Sequence, residues 1–409
     1  MPSSSDTKRA FVALAATTAL QVYASLAATA PSVLAPEIAQ AFAIAPKWIG
    51  VFVGLIYAGA MVASLACGGF IDRFGPIRVS QIGVMLCALG TLTIAVAPHS
   101  AVALLIVAAL TIGIGYGPIT PASSHLLIRT APPSKLALTF SIKQTGVPAG
   151  AALAGAALPA LALLVGWRVS LAVAAVIGII VVSAAQPARP ALDADRRHGG
   201  RTLSPASVIA PLRIVWRSRT LVELALVSFV YAGTQVCLTS FLVVYLTESL
   251  GWSLVGAGFA LASATLGGVV GRVVWGMIAD RFLRPRSVLG IIGLLAALCG
   301  AILSVALPSW PTIALIVLAG CFGATAIGWN GVQLSEVARH APPGAAGAVT
   351  GASAFVTFSG VVAGPPIFAL LAASTDGYRA GFAVSGALSG VSGFLLLLAS
   401  RGHRGGGGV

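Results

Sequence analysis

Two cations stand inside long apolar runs, where an ion is expensive. Lys143, in Ser141-Ile142-Lys143-Gln144-Thr145-Gly146, lies roughly 9 Å along a helix from the inner start of its run. Arg272, in Gly271-Arg272-Val273, precedes Asp280 by two helical turns and so lies deep in another run. A central Lys or Arg costs roughly 2.5–3.5 kcal/mol on insertion scales. The acids are Asp6, Glu37, Asp72, Asp193, Asp195, Glu223, Glu248, Asp280, Glu336 and Asp376, all at run ends or in loops. Glu223 and Glu336 come nearest to burial, both toward the inner side. With no mid-run acid to neutralise them, the two cations call for an anion, and the simplest candidate is a bound substrate. Arg can hold a carboxylate bidentately, while Lys acts as a point charge. Lys143 has an alternative, since its stem could instead snorkel to the inner surface.

Other polar residues lie mid-run: Gln21 and Tyr23, Tyr57, Tyr116, Gln144, Tyr231 and Gln235, and the pair Trp329-Asn330. Each could line a cavity or equally bond a neighbouring helix. Gln144 and Asn330 stand out because polar and small residues surround them. His125, one turn before Arg129, reads as structural. All five cysteines (Cys67, Cys87, Cys237, Cys299, Cys321) sit in apolar runs without a CxxC pair or a His at ligand spacing. They imply no metal, no cofactor and no disulfide.

The elements that must position these groups are membrane spans. Of 409 residues, 58% are hydrophobic and 8% charged, with a mean hydropathy of +0.99; a soluble chain carries roughly 25% charged residues. Runs long enough to cross a core of ~30 Å occur near 11–35, 49–70, 79–97, 102–128, 137–164 and 168–186. They resume near 220–247, 254–278, 287–306, 312–337, 346–372 and 379–400. Runs this continuous are helices, because only helices and closed barrels satisfy their backbone groups in lipid. The fold expected is an all-α membrane protein of twelve transmembrane helices in two pseudo-symmetric six-helix bundles: residues 1–186, a cytoplasmic central loop 187–219, and residues 220–409. The central loop reads as a solvated linker carrying one surface helix, and the Gly-rich tail after Arg404 as disordered. The first run, preceded by Lys8-Arg9 and followed by Ala28-Thr29-Ala30, imitates a signal peptide but has the length of a full span.

The net charge of +14 does not point to nucleic acid, since the charges sit in short connectors and no basic patch interleaves aromatics. With both termini cytoplasmic, the inner segments hold 19 of the 24 Lys and Arg, and the outer loops keep only Lys47, Arg168 and Arg379. That asymmetry predicts termini inside. Trp48, Trp167, Trp252 and Trp310 fall at the outer interface as an aromatic belt. The partners expected are the lipid bilayer and a small anionic substrate, with no nucleic acid, for a chain that acts as a monomer.

The two halves echo each other. Gly68-Gly69-Phe70-Ile71-Asp72-Arg73-Phe74-Gly75 returns 208 residues on as Gly276-Met277-Ile278-Ala279-Asp280-Arg281-Phe282. At an offset of 210, Arg129-Thr130-Ala131-Pro132-Pro133 pairs with Arg339-His340-Ala341-Pro342-Pro343. Repeats of this size in an apolar chain are a transporter architecture.

On these residues the chain resembles the major facilitator superfamily, whose loop motif after spans 2 and 8 runs Gly-x-x-x-Asp-Arg/Lys-x-Gly-Arg-Arg/Lys. The first copy keeps Gly68, Asp72, Arg73 and Gly75 but has Pro76-Ile77 before Arg78; the second keeps Gly276, Asp280 and Arg281, then departs with Leu283-Arg284-Pro285-Arg286. The resemblance implies that Asp72 faces the start of span 11 and Asp280 the start of span 5, with Arg73 and Arg281 beside them, so that the motif acts as an inner gate. Prolines at both starts suit the first turn of a helix, and the partial positive charge there suits an Asp. The Gly-Arg pair before Asp280 is also locally similar to the oxalate–formate exchanger and monocarboxylate transporter branches, although those do not share Lys143-Gln144.

These features imply a secondary or exchange transporter of a small organic anion, a carboxylate, working by alternating access in the inner membrane. The alternative is proton-coupled efflux of small lipophilic compounds. Span 4 has Ala109 where many proton-coupled members carry an Arg, and span 5 lacks the Gly-Pro pattern of drug antiporters. An enzyme would need a catalytic cluster at a membrane surface, and no His–acid or Ser–Lys arrangement supplies one.

Overall fold

The computed structural model describes residues 4–44, 48–196, 205–375 and 377–402. Lys47, Asp376 and the glycine tail lie outside the described residues, as do Arg197, Arg201 and Arg404. Each apolar run becomes a helix, and twelve are long and apolar enough to cross a membrane. Spans 1 to 6 are Thr7–Val33, Gly50–Phe74, Pro76–Val96, Val102–Thr130, Pro133–Val165 and Trp167–Leu192. Spans 7 to 12 are Arg219–Ser249, Val255–Arg281, Pro285–Ser304, Thr312–His340, Ala346–Ser374 and Arg379–Ala399. There is no strand among the described residues.

The chain gathers into two units. The first holds residues up to Pro132, Lys143–Arg217 and Ala338–Phe355; the second holds Pro133–Ile142, Ser218–Val337 and residues from Val356 on. The inner start of span 5 therefore packs as part of the second unit, and that of span 11 as part of the first.

Small residues make the close helix contacts, and they do so twice. In the first unit a Cβ at Gly113 of span 4 would collide with the Ile56 carbonyl of span 2; in the second, a Cβ at Gly323 of span 10 would collide with the Ala264 carbonyl of span 8. Without a hydrophobic drive between helices in lipid, such backbone approach is what packing rests on. Gly323→Val is expected to destabilise the protein by about 1–3 kcal/mol through overpacking, read as a lower thermal-unfolding midpoint in detergent; an unchanged midpoint would contradict the contact.

Spans 4 and 10 are both interrupted. Span 4 breaks between Tyr116 and Ile119, at Gly117-Pro118, and span 10 between Ala326 and Asn330. Pro118 offers no N–H to the turn before it. Each break frees backbone carbonyls in mid-span, which must find other donors.

The central loop starts differently from the solvated linker expected. Residues after span 6 fold onto the first unit, with Asp193 only 2% exposed. Its carboxylate accepts from the N–H groups of Ile77 (2.8 Å) and Arg78 (3.1 Å), capping the first turn of span 3, whose Pro76 follows Gly75 at φ +89°. Burial pushes the Asp193 carboxyl up, against the lowering pull of those two N–H groups and of Arg189. Asp195 pairs with Arg129 and with His125 Nε2, and Arg9 donates to the Ala191 carbonyl at 3.0 Å. A free helix N-terminus and two basic side chains hold this stretch down. His125 is structural, as its sequence position suggests. The expected surface helix is present at Pro205–Arg217.

Candidate functional site

Lys143 does not snorkel: the residue is 1% exposed. In the first unit its Nζ donates to Gln21 Oε1 of span 1 (2.7 Å), to Gln144 Oε1 (3.0 Å) and to Thr120 Oγ1 of span 4 (3.2 Å). Thr120, just past the break in span 4, in turn donates to Gln21 Oε1 at 3.0 Å. These three oxygens are uncharged, and they solvate the ammonium. Gly146 allows span 5 to lie close to span 1 here, because a Cβ on it would sit 3.2 Å from the Thr18 carbonyl and 3.3 Å from Gln21 Cβ. Also in this unit, a cavity of about 250 Å³ is lined by Ser25, Ser32, Tyr57, Tyr116 and Ala151 among others. Tyr57 and Tyr116 meet edge to face there, with centroids 6.5 Å apart.

The second unit holds Arg272, 2% exposed. Its Nε donates to the Ile327 carbonyl at 3.1 Å, one of the groups freed by the break in span 10. The other freed carbonyls are met similarly: Trp275 Nε1 donates to Ala324 O (2.8 Å) and Trp329 Nε1 to Ala326 O (3.1 Å). Asn330 Nδ2 donates to Ile327 O (3.3 Å) and to Gln235 Oε1 of span 7 (3.1 Å). One edge of the Arg272 guanidinium therefore splints the broken helix.

The two units share a device. An amide on the first helix of each half is bonded just past the break in the fourth: Gln21 to Thr120, and Gln235 to Asn330. The sequence carries the sign, since Gln21-Val22 recurs as Gln235-Val236 and Thr120 stands 210 residues before Asn330. The cations break the symmetry. At the offsets of 210 and 208 that relate the loop motifs, Lys143 corresponds to Ser353 and Arg272 to Ser64.

The remaining tyrosines turn elsewhere. The Tyr231 hydroxyl donates to the Leu289 carbonyl of span 9 (2.8 Å) while its ring stands edge to face against Trp329. Tyr23 is in the core of the first unit against Gly178 of span 6. Both pack inside their own bundles. Thr120 is the residue of this site that sequence reasoning missed.

The two loop motifs differ in what they bind. In the second unit Asp280 accepts from the N–H groups of Ala137 (3.0 Å) and Leu138 (2.7 Å) at the start of span 5. One turn earlier, a Cβ on Gly276 would lie 2.6 Å from Ser141 Oγ and 3.0 Å from Leu138 Cα. The glycine lets the two helices touch, and the aspartate caps what it touches. In the first unit Gly68 makes the matching approach to span 11, a Cβ there lying 2.6 Å from Ala348 Cβ. Asp72, however, is exposed. Arg73 and Arg281 are exposed as well, each with its guanidinium over the following Phe ring.

Comparisons with known proteins agree with this architecture. The family model of the Major Facilitator Superfamily matches residues 17–365. A probable nitrate/nitrite transporter of Mycobacterium tuberculosis, NarK2, is 33% identical over 192 residues, which are 44% of this chain and 42% of that protein. The chain thus matches less than half the length of that relative. The hexuronate transporter of Bacillus subtilis is 22% identical over 88% of this chain and 87% of its own. Among solved structures, the E. coli fucose:proton symporter FucP superposes with a TM-score of 0.73 at 18% identity, over 94% of this chain and 98% of that one. The human organic anion transporter MFSD10 does so with a TM-score of 0.72 at 19% identity, over 97% and 100%. With its twelve spans, its doubled Gly-x-x-x-Asp-Arg motif and a match along most of its length, the chain belongs to the Major Facilitator Superfamily, a family of transporters and not of enzymes.

Proposed function

We propose that this multi-pass protein is a secondary transporter that moves a small organic anion, a carboxylate, across the cell membrane by alternating access, with both termini cytoplasmic. The observation that carries this reading is Lys143, buried at 1% exposure and held by three uncharged oxygens. An ammonium so held by neutral oxygens presents positive charge to the interior of the first unit, and in a low-dielectric site a carboxylate complements it. The names of two relatives, a nitrate/nitrite and a hexuronate transporter, are in keeping with an anion. Transport would run on gradients or exchange, since the sequence contains no phosphate-binding P-loop. A thermal-shift screen of purified protein against mono- and dicarboxylates, nitrate, neutral sugars and lipophilic cations tests the reading. Stabilisation by small anions alone is expected; stabilisation by lipophilic cations and not by anions would overturn it in favour of drug-type efflux.

The loop motifs act as the inner gate in this reading, with Asp280 the stronger latch because it caps span 5. Asp280→Asn keeps one acceptor oxygen but loses the charge at the helix N-terminus, an effect of about 1 kcal/mol. Turnover in proteoliposomes is expected to fall about fivefold, with little change in substrate affinity, because the equilibrium between inward- and outward-open states shifts. Unchanged turnover would contradict the latch.

A further inference from the structure

We propose that Gln21 is a ligand of the transported anion and the residue that keeps its site cationic, so that the first unit selects planar oxyanions, which accept hydrogen bonds through more than one oxygen. The inference rests on the anion reading above and assigns the contact that reading leaves open.

Gln21 is 0% exposed. Its Oε1 receives two donors, Lys143 Nζ and Thr120 Oγ1. They fix the orientation of the amide, because the flipped form would turn an NH2 group toward an ammonium. Its Nε2 is then left as a buried donor with no partner among the described residues. Buried amides are nearly always satisfied, and one that is not marks strain, a functional role, or a place for a water, an ion or a ligand. One turn earlier on the same face of span 1, Thr18 Oγ1 is also buried and unpartnered. Gly146 of span 5 borders both residues, and a side chain there would press on them.

The lysine is in the opposite condition. An ammonium has three N–H donors, and Lys143 directs bonds to Gln21, Gln144 and Thr120. Lys143 therefore supplies charge, while the amide of Gln21 supplies an unused pair of hydrogens beside it. A ligand that completes this site is acceptor-only and negative. It needs one oxygen for the amide and a second to replace the longest of the lysine's bonds, the 3.2 Å contact to Thr120. A carboxylate and a nitrate both fit that description, whereas a halide offers a single atom.

Gln21 also decides the charge. A glutamate of the same shape would sit at 2.7 Å from Lys143 Nζ, pair with it, and remove both the donor and the net positive charge. Lys143 is the charged group bonded to this side chain. His125, the titratable residue on the same helix of span 4, is bonded to Asp195 instead, and wild type followed over the same pH range removes its contribution.

The test is binding of formate, acetate, nitrate and chloride to the full-length protein by titration calorimetry from pH 4.5 to 8. Wild type is expected to bind carboxylates or nitrate and to discriminate against chloride, and the preferred oxyanion identifies the source of the ligand. Gln21→Leu is expected to weaken oxyanion binding about 10- to 100-fold at every pH, as loss of a hydrogen bond to a charged group does. Gln21→Glu is expected to lose about 100-fold across the whole range, because pairing with Lys143 keeps its carboxyl ionised. A thermal-unfolding midpoint at or above that of wild type shows that the variant is folded. Wild type that binds no anion would overturn the proposed function itself. Wild type that binds, with a Gln21→Glu or Gln21→Leu protein that matches it at all pH, would overturn this inference and leave that function standing.

Discussion

Lys143→Met is expected to abolish anion transport while leaving the protein as stable as wild type or more so. The charge is buried, and the oxygens around it are uncharged. A charge buried among neutral oxygens carries a desolvation cost that an apolar residue of similar volume does not, and this offsets the hydrogen bonds lost with it. The same change removes the only charge among these four bonded residues, and a loss of about 100-fold or more in affinity follows from about 3 kcal/mol of charge–charge interaction. Paired measurements of uptake and thermal midpoint check this. Lost uptake with a sharply lowered midpoint would mean that Lys143 is chiefly a structural strut, and normal uptake would remove it from the site.

Arg272→Lys is expected to lose both activity and stability, which separates the two cations. Arg272 Nε bonds the Ile327 carbonyl at the break in span 10, and a lysine, lacking the planar fork, cannot keep that bond and also face a ligand. A lost charged hydrogen bond in the interior costs about 1.5–3 kcal/mol, so a lowered midpoint is expected. If Arg272 also meets the substrate, uptake falls about tenfold or more beyond what the stability loss explains. An Arg272→Lys protein with wild-type uptake and a lowered midpoint would make Arg272 a splint alone.

Much of the fold is legible because lipid enforces simple rules. Runs of twenty apolar residues can only be helices, and the doubled Gly-x-x-x-Asp-Arg motif announces the repeat before any contact is known. The structure adds why the motif's glycine is needed: Gly68 and Gly276 are the points where a side chain would strike Ala348 or Ser141. The breaks in spans 4 and 10 were harder to see, since the apolar runs continue through Gly117-Pro118 and Gly328-Trp329. Hydropathy does not register a backbone that turns aside inside a run.

The candidate site was half legible. Lys143 and Arg272 stand out by charge alone. What surrounds them depends on which face of each helix points where, and near-uniform apolarity hides that. Thr120 carries no sign of its own in the sequence, because a threonine in a span usually bonds its own helix, as Thr130 does to the Leu126 carbonyl. Tyr23 and Tyr231 looked like cavity residues because they are polar and central, yet each ring is absorbed by its own bundle. Asp193 and Asp195 look like part of a solvated linker because nothing in the sequence shows that a helix start and two basic residues lie within their reach.

The most direct test of the central claim is counterflow in proteoliposomes. Vesicles loaded with a small unlabelled carboxylate and diluted into the same carboxylate carrying a label should accumulate the label transiently. Wild type is expected to do so, more slowly when unlabelled nitrate competes, and the Lys143→Met protein is expected to do nothing. Accumulation of a neutral sugar or a lipophilic cation, with no movement of any small anion, would contradict the account.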